Sequence, residues 1–253
     1  MTRLPDTVAV VTGAAGVFGS AIAARFAAEG ASLVLTDIDE DRLNTVVKNV
    51  DEHGVGTVSA FVADLTAPAD VSRLFDYVDE QFGRLDTLIN NAGCAIRSPL
   101  AFHNDADWHR MFRVNLDSVF YCSRQAVQRM LQRRRGRIIN MSSALGLTGG
   151  AEEVAYATTK AAIIGFTRSV AQEVGRRGIC VNAICPTLAD SGVSRTYFEG
   201  LDVEIRAVAQ YLARRASMPK PIDPADVADV AVFLSSSESG YINGQALLVG
   251  GTG

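Results

Sequence analysis

The sequence predicts an α/β fold in which helices cover both faces of a parallel sheet. Short runs rich in β-branched residues alternate with helical patterns along the whole chain, a pattern typical of such sheets. Each predicted helix supplies the crossover that two parallel strands require. A glycine-rich turn directly follows the first strand, as it does in doubly wound folds. We therefore expect a doubly wound, seven-stranded parallel sheet.

The predicted elements follow one another in order along the chain. The strands are expected at residues 8–11, 32–36, 57–62, 87–90, 137–141, 179–184 and 246–249. The helices are expected near residues 18–29, 40–52, 69–82, 106–134, 154–176 and 224–235. Two longer connections, at residues 93–105 and 187–223, interrupt this alternation.

The second long connection contains an apolar pattern of its own. Its apolar residues recur at helical spacing, at Leu201, Ile205, Val208 and Leu212. We interpret residues 187–223 as a lid over a substrate site. Only thirty residues remain from Pro224 to the last residue, too few for a second core. Residues 1–253 are therefore expected to form a single domain.

Composition and charge narrow the classes of partner. The net charge of −4 gives no basic surface on average, so neither a nucleic acid nor an anionic membrane is expected. The uncharged stretch at residues 7–24 is interrupted by glycines, which argue against a spanning helix. Four cysteines without a Cys-x-x-Cys pair indicate reduced thiols in the cytoplasm and no metal site. A small-molecule partner is the remaining expectation.

A glycine-rich turn joins the first strand to the first helix. Residues 12–19 read Thr-Gly-Ala-Ala-Gly-Val-Phe-Gly, and its candidate cofactor contacts are Gly13, Gly16, Val17, Phe18 and Gly19. Glycines at such a turn allow a pyrophosphate to approach the amides of a helix N-terminus. With the strand pattern, this turn predicts a Rossmann-like, dinucleotide-binding domain.

The end of the second strand indicates which dinucleotide binds. Asp37 lies eighteen residues after Gly19, where a carboxylate accepts hydrogen bonds from the adenosine ribose and repels a 2′-phosphate. A cation that favours NADP is expected within the glycine turn or directly after the strand, but Gly16 and Ile38 occupy those places. The predicted cofactor is therefore NAD, with Asp37 and Ile38 at its adenosine end.

With these features the chain resembles the short, single-domain branch of the short-chain dehydrogenase/reductase family, from about Val8 to Gly251. The segments that carry the resemblance are Ala63-Asp64-Leu65, Asn90-Asn91-Ala92-Gly93, Val114-Asn115-Leu116, Ile139-Asn140-Met141-Ser142-Ser143 and Tyr156-Ala157-Thr158-Thr159-Lys160. The resemblance implies cofactor contacts at Asp64, Leu65, Asn91, Ala92, Gly93, Pro186 and Thr187. It also implies a homotetramer, because the family pairs the helices predicted here at residues 106–134 and 154–176.

The candidate catalytic residues are Asn115, Ser143, Tyr156 and Lys160. Tyr156 and Lys160 are four residues apart, so both side chains lie on one face of a helix. A tyrosine has an ordinary pKa of about 10, and a nearby ammonium favours its phenolate. By resemblance, Tyr156 is the general acid and base, Ser143 holds the substrate oxygen, Lys160 bonds the nicotinamide ribose and Asn115 positions a relay water. The implied reaction moves a hydride between NAD(H) and a secondary alcohol or ketone.

The sequence departs from the family pattern at three positions. Val17 occupies the place of the middle glycine of the turn. Thr187 follows Pro186 where glycine is usual, near the expected nicotinamide. Gly250 stands where aspartate is more common.

Two other functions stay open at this point. Sugar epimerases and dehydratases also use Tyr-x-x-x-Lys with bound NAD, but they append a substrate domain for which too few residues follow Pro224. An NAD(H)-binding regulator or scaffold without turnover needs the glycine turn but has no chemical need for the four candidate catalytic residues. Arg97 and Arg195 would suit an anionic substrate, whereas the apolar stripe of the predicted lid would suit an apolar one.

Overall fold

The computed structural model describes residues 2–52, 54, 56–187 and 222–251, and its centre is one parallel sheet. The strands are β1 (Val8–Thr12), β2 (Ser32–Asp37), β3 (Val58–Val62), β4 (Thr87–Asn90), β5 (Gly136–Met141), β6 (Ile179–Pro186) and β7 (Ala246–Val249). Their order across the sheet is β3-β2-β1-β4-β5-β6-β7. The predicted seven-stranded, Rossmann-like sheet is confirmed.

Helices pack on both faces of this sheet. They are α1 (Val17–Ala28), α2 (Glu40–Asp51), α3 (Pro68–Phe82), α4 (Asp105–Phe112), α5 (Ser118–Arg133), α6 (Leu145–Thr148), α7 (Val154–Val174) and α8 (Pro224–Ser235). Phe26 of α1 anchors the core on one face, and Phe75 of α3 anchors the core on the other. Because both faces are covered, every residue of β1 is buried.

One predicted helix is divided in the structure. The pattern at residues 106–134 predicts a single helix, but α4 and α5 are joined by a π-helical turn at Arg113–Asp117. In that turn the Ser118 amide donates to the Arg113 carbonyl, five residues earlier. This wider turn contains the fully buried candidate residue Asn115.

The strand order reverses between β1 and β4, which are hydrogen-bonded neighbours. In a doubly wound sheet, ligands bind at the carboxyl ends of the strands beside such a reversal. The glycine turn after β1 and the loops after β4 and β5 all leave the sheet at this edge. The topology therefore brings the predicted cofactor and catalytic residues to one edge of the sheet.

Most of the predicted lid lies outside the described residues. Of residues 187–223, only Thr187, Ile222 and Asp223 are described, so the apolar stripe beginning at Leu201 lies outside the described residues. Among the helices that the structure describes, none combines the length and apolar character needed to cross a bilayer.

Candidate active site

The glycine turn is braced by the loop that follows β4. Gly13 has a φ of +61°, and a Cβ added there would lie 2.7 Å from the Cα of Ala92. A Cβ on Gly19 would overlap the Gly13 carbonyl oxygen. The Asn91 side-chain amide donates to the carbonyls of Thr12 at 3.0 Å and Gly13 at 2.9 Å. Gly13 and Gly19 are therefore required by local packing, and Asn91 and Ala92 support the turn.

The N-terminus of α1 differs from those of three other helices. Its cap residue is Gly16, which offers no side-chain acceptor, and its first turn has no acidic residue. By contrast, the side chains of Asp39, Asn104 and Asp223 accept backbone amides at the starts of α2, α4 and α8. The amides at the start of α1, beginning with Val17 and Phe18, thus suit the pyrophosphate of a dinucleotide.

Asp37 is fixed beside the glycine turn. Its carboxylate accepts the amide of Ala15 at 3.0 Å and the amides of Ile38 and Asp39 at 2.8 and 3.2 Å. These bonds hold a charged acceptor at the end of β2, where the adenosine ribose is expected.

A cation also reaches this turn, contrary to the expectation from the sequence. The Arg42 guanidinium donates to the Ala15 carbonyl at 2.9 Å. The positions predicted for such a cation are the turn itself and the residue after β2, whereas Arg42 lies five residues beyond Asp37. The short connection from β2 to α2 brings its side chain back to the turn.

Exposed apolar side chains lie next to Asp37. Asp37 of β2 is paired with Val62 of β3, and the exposed fractions of Val62 and Ile38 are 42% and 69%. They offer an apolar surface to a flat heterocycle such as adenine. Asp64 bonds within its own turn, because its Oδ1 accepts the Thr66 amide at 2.9 Å and the Thr66 hydroxyl at 2.8 Å. Leu65 beside it is buried.

Lys160 is a buried ammonium at the carboxyl end of β5. Its Nζ donates to the Met141 carbonyl at 2.8 Å and lies 5.6 Å from the ring centroid of Tyr156. A Cβ added to Gly93 would lie 3.6 Å from this Nζ. Burial lowers the pKa of Lys160 to about 8. The structure therefore brings Gly93, Tyr156 and Lys160 together.

Asn115 joins the loop after β4 to α7. Its Oδ1 accepts the Cys94 amide at 2.7 Å, and its Nδ2 donates to the Cys94 carbonyl at 2.9 Å and the Thr159 hydroxyl at 3.1 Å. Both amide protons are thus used within the protein. The side chain fixes Cys94 beside the catalytic candidates.

The Tyr156 hydroxyl is held in its neutral form. Burial raises the pKa of Tyr156 to about 12, and the hydrogen bond from Ser143 opposes this only partly. The charge of Glu153 raises this pKa further. The Tyr-x-x-x-Lys spacing predicts that Lys160 favours the phenolate, but in the protein alone desolvation holds the pKa of Tyr156 high. At neutral pH Tyr156 is a phenol that can donate a proton.

Glu153 and Arg97 form an ion pair that the sequence pattern did not indicate. The Arg97 guanidinium lies 3.1 Å from a carboxylate oxygen of Glu153 and 3.1 Å from one of Glu152. Glu153 is buried three residues before Tyr156. Arg97 was a candidate for binding an anionic substrate, but two carboxylates already neutralise its charge. Arg195, the other candidate, lies outside the described residues.

Thr187 and Gly250 contact each other where β6 and β7 end. The Ala144 amide donates to the Pro186 carbonyl, and the Thr187 amide donates to the Val249 carbonyl, each at 2.9 Å. Gly250 has a φ of +110°, and a Cβ there would overlap the Thr187 hydroxyl oxygen and lie 2.9 Å from the Thr187 Cβ. The side chain of Thr187 therefore fills the space that a side chain at position 250 would need.

The described residues show no cluster suited to a metal ion. None of them form a group of three or more His, Cys, Asp or Glu side chains with the required proximity. The cysteines are free thiols.

Comparison with known proteins identifies the family of this chain. A family profile described as short chain dehydrogenase matches residues 7–202. The chain belongs to the short-chain dehydrogenase/reductase family. It is 34% identical to a 3-oxoacyl-[acyl-carrier-protein] reductase of Thermotoga maritima, with 98% of each chain covered. It is also 34% identical to the (2S)-[(R)-hydroxy(phenyl)methyl]succinyl-CoA dehydrogenase subunit BbsD of Thauera aromatica, over 98% of this chain and 96% of that one.

A solved structure gives the same result for the fold. The crystal structure of an NAD⁺-bound xylitol dehydrogenase superimposes with a TM-score of 0.94 at 30% identity, over 99% of this chain and all of the other. As a short-chain dehydrogenase/reductase, the protein is an oxidoreductase that acts on CH–OH or C=O groups with a nicotinamide cofactor.

Proposed function

We propose that this short-chain dehydrogenase/reductase transfers a hydride between NAD(H) and a secondary alcohol or ketone, with Tyr156 as general acid and base. The observation that carries the proposal is the convergence of Ser143, Tyr156 and Lys160 at the carboxyl end of β5. Ser143 bonds the Tyr156 hydroxyl, and the Lys160 ammonium lies 5.6 Å from the Tyr156 ring centroid. The Lys160 ammonium also bonds the Met141 carbonyl at the end of β5, on the sheet edge from which the glycine turn leaves. A bound nicotinamide would supply the hydride donor or acceptor.

Tyr156 moves the proton that must accompany the hydride. In carbonyl reduction its neutral phenol donates a proton to the substrate oxygen, and in alcohol oxidation its phenolate accepts one. Ser143 donates a hydrogen bond that holds the same oxygen. Lys160 lies on the same face of α7, so its positive charge favours the phenolate while the proton is away.

Asn115 has a positioning role in this proposal. Its side-chain amide is used by Cys94 and Thr159, so a relay water at Asn115 would bind its main-chain carbonyl instead. The π-helical turn at Arg113–Asp117 gives this residue a backbone environment that a regular helix would not.

NAD is the proposed cofactor because Asp37 is fixed as a charged acceptor at the adenosine end. Its carboxylate suits two ribose hydroxyls and repels a 2′-phosphate. We expect NADH to bind at least about tenfold more tightly than NADPH, which is about 1.4 kcal/mol. Fluorescence titration of both nucleotides measures this difference. Equal affinities would contradict the assignment of Asp37.

The remaining features of the proposal follow the sequence and the family. We propose that the chain works as a single catalytic domain with residues 187–223 as its lid, in the cytoplasm, and as a homotetramer. The NAD⁺-bound xylitol dehydrogenase supports an alcohol substrate, and the ketone direction is supported by the relative that is a 3-oxoacyl reductase.

The decisive experiment assays a panel of alcohols and ketones by NADH absorbance and then compares variants on the best substrate. Tyr156→Phe removes the hydroxyl and keeps the ring, so turnover should fall by about 10² to 10⁴-fold while NADH affinity is retained. Lys160→Ala should lower both turnover and NADH affinity. Thermal unfolding checks that the variants fold.

A regulator or scaffold without turnover predicts a different pattern. In that case no member of the panel would change NADH absorbance, although NADH would still bind. If a substrate is found and Tyr156→Phe keeps more than about half of the rate, Tyr156 is not the general acid and base. Loss of such a group lowers the rate by about 10² to 10⁴-fold.

A further inference from the structure

We propose that Glu153 is a positioning residue that acts through Tyr156, and that Arg97 is its counter-charge. Together the two charges set how tightly Tyr156 holds the proton that it exchanges with the substrate. This inference rests on the proposed function, because it assumes that Tyr156 is the general acid and base.

Arg97 joins the loop after β4 to the connection that leads from α6 into α7. Its guanidinium lies 3.1 Å from a carboxylate oxygen of Glu152 and 3.1 Å from one of Glu153. The Ser98 amide donates to the Glu152 carbonyl at 3.0 Å. Side-chain and backbone contacts therefore hold these two segments together, directly before the helix that carries Tyr156.

The backbone of this connection turns Glu153 inward. Glu152 has a φ of +64°, a conformation that L-residues rarely adopt and that persists only where neighbouring contacts hold it. A Cβ added to Gly150 would lie 3.4 Å from the Glu153 Cγ and 3.0 Å from the Leu145 Cδ2, so Gly150 packs closely against both. As a result, only 6% of the Glu153 side chain is exposed, compared with 36% of the Glu152 side chain.

The buried carboxylate lies close to Tyr156 along the helix. The Ala157 amide donates to the Glu153 carbonyl at 2.7 Å, so Glu153 belongs to the first hydrogen-bonded turn of α7. Side chains three residues apart are neighbours on a helix. In agreement with this position, burial raises the pKa of Tyr156 and the negative charge of Glu153 raises it further. Because the carboxylate is buried, salt screens its effect only weakly.

Arg97 compensates the charge of this buried carboxylate. A buried charge without a partner is costly, and a counter-charge both stabilises it and offsets its field. Removing the charge of Glu153 should therefore let Tyr156 lose its proton more readily, and removing Arg97 should have the opposite effect. A pair that only held the two segments together would give losses of the same sign.

Other titratable groups lie around Tyr156, directly or one contact away, and the test leaves them unchanged. They are Lys160 on α7 itself, Cys94 in the loop after β4, Cys185 on β6, and Asp107 and Arg110 on α4. Burial raises the pKa of Cys94 and of Cys185, so both thiols are uncharged at neutral pH. The short helix α6 contributes only Leu, Gly and Thr residues.

The first test compares Glu153→Gln with the natural protein on the best substrate of the panel. Glutamine keeps the size of the side chain and removes its charge, so kcat/KM at about pH 7 should rise about two- to fivefold. Oxidation and reduction should rise together, because a substitution does not alter the equilibrium constant. NADH affinity should change less than about twofold.

Glu173→Gln is the matched control for this substitution. It removes an exposed carboxylate near the other end of α7, far along the helix from Tyr156. Because solvent and salt screen such a charge, kcat/KM and NADH affinity should both stay within about twofold of the natural protein.

The second test adds Arg97→Gln, alone and combined with Glu153→Gln. Alone, it leaves the carboxylate without its counter-charge, so kcat/KM should fall about two- to fivefold at about pH 8. The loss should be smaller at about pH 6, because a buried carboxyl without a partner takes up a proton more readily. In the double variant, which has no carboxylate for Arg97 to offset, kcat/KM should match that of Glu153→Gln at both pH values. Thermal unfolding checks that the variants fold, and the double variant still provides the comparison if Arg97→Gln alone does not.

The outcomes separate this inference from the proposed function. If Glu153→Gln does not raise kcat/KM, or if Arg97→Gln lowers it equally with and without the Glu153 charge, the pair only holds the two segments together. The inference is then wrong, while the hydride-transfer proposal stands. If Tyr156→Phe keeps its activity, the proposed function itself fails and this inference fails with it.

Discussion

Gly250→Ala is the substitution whose effect can be worked out most directly from the structure. Gly250 has a φ of +110°, a conformation that costs an L-residue about 1 to 3 kcal/mol. Its new Cβ would also overlap the Thr187 hydroxyl and lie 3.0 Å from the Thr187 Cγ2. Overpacking of this kind costs about 1 to 3 kcal/mol. We expect a loss of about 4 kcal/mol in the free energy of unfolding, or about 8 to 16 °C in the melting temperature.

Two further variants separate these costs. Gly83→Ala is the control for conformation alone, because Gly83 has a φ of +64° and a Cβ there would meet nothing within 4 Å. It should cost about 1 to 2 kcal/mol. Combining Gly250→Ala with Thr187→Gly removes the overlapping side chain, so the double variant should regain about 1 to 3 kcal/mol relative to the sum of the singles.

The assay is urea unfolding, supported by thermal unfolding, of the natural protein and of Gly83→Ala, Gly250→Ala, Thr187→Gly and the double variant. The coupling free energy is calculated from Gly250→Ala, Thr187→Gly and their combination. A coupling free energy within about 0.5 kcal/mol of zero would mean that the two positions act independently. That result would refute the conclusion that Thr187 occupies the space of a side chain at position 250. It would leave the departure at Gly250 without a physical account.

Two other predictions follow from the site and from the helix surface. Because desolvation raises the pKa of Tyr156 to about 12, kcat/KM for alcohol oxidation should rise with pH by up to about tenfold per unit. This rise should extend up to about pH 8, the range in which Lys160 keeps its charge. Carbonyl reduction should be nearly flat there, and an oxidation profile without slope would contradict the role of the phenolate. Phe120 on α5 is 43% exposed, and the Arg124 guanidinium lies 5.0 Å from its ring centroid. Because α5 is one of the helices proposed to pair in the tetramer, Phe120→Glu should shift the tetramer to a smaller species in light scattering. A natural protein of monomer mass at micromolar concentration would contradict the tetramer.

Most of the fold could be predicted because local patterns encode it. The β-branched run at Val8–Thr12 is buried on both faces, and this gives it a continuous apolar sequence rather than an alternating one. The glycine turn was recognisable because Gly13 and Gly19 are required by backbone geometry. The four candidate catalytic residues were recognisable only through the family spacing, since Tyr-x-x-x-Lys alone is common on helices.

Other features could not be predicted because they depend on contacts that a local pattern does not contain. The apolar periodicity of residues 106–134 continues through the π-helical turn, and no glycine or proline at Arg113–Asp117 marks the change. The helix α6 has only four residues, too few for a periodic signal. The ion pair of Arg97 with Glu153 joins segments that are far apart in sequence, so spacing gave no indication of it.

The two ends of the proposed cofactor site are built from different kinds of contact, and their variants should therefore behave differently. Asp37 is partly exposed on a short local segment, and Asp37→Asn keeps an oxygen acceptor for the Ala15 amide, so this change should alter nucleotide preference with little loss of stability. Asn115 and Lys160 are buried, and their hydrogen bonds also join the loop after β4, the end of β5 and α7. Removing either leaves buried polar groups unpaired, which costs about 1 to 3 kcal/mol each. Cofactor preference can thus change by substitution at the adenosine end, whereas the catalytic end is constrained by stability as well as by chemistry.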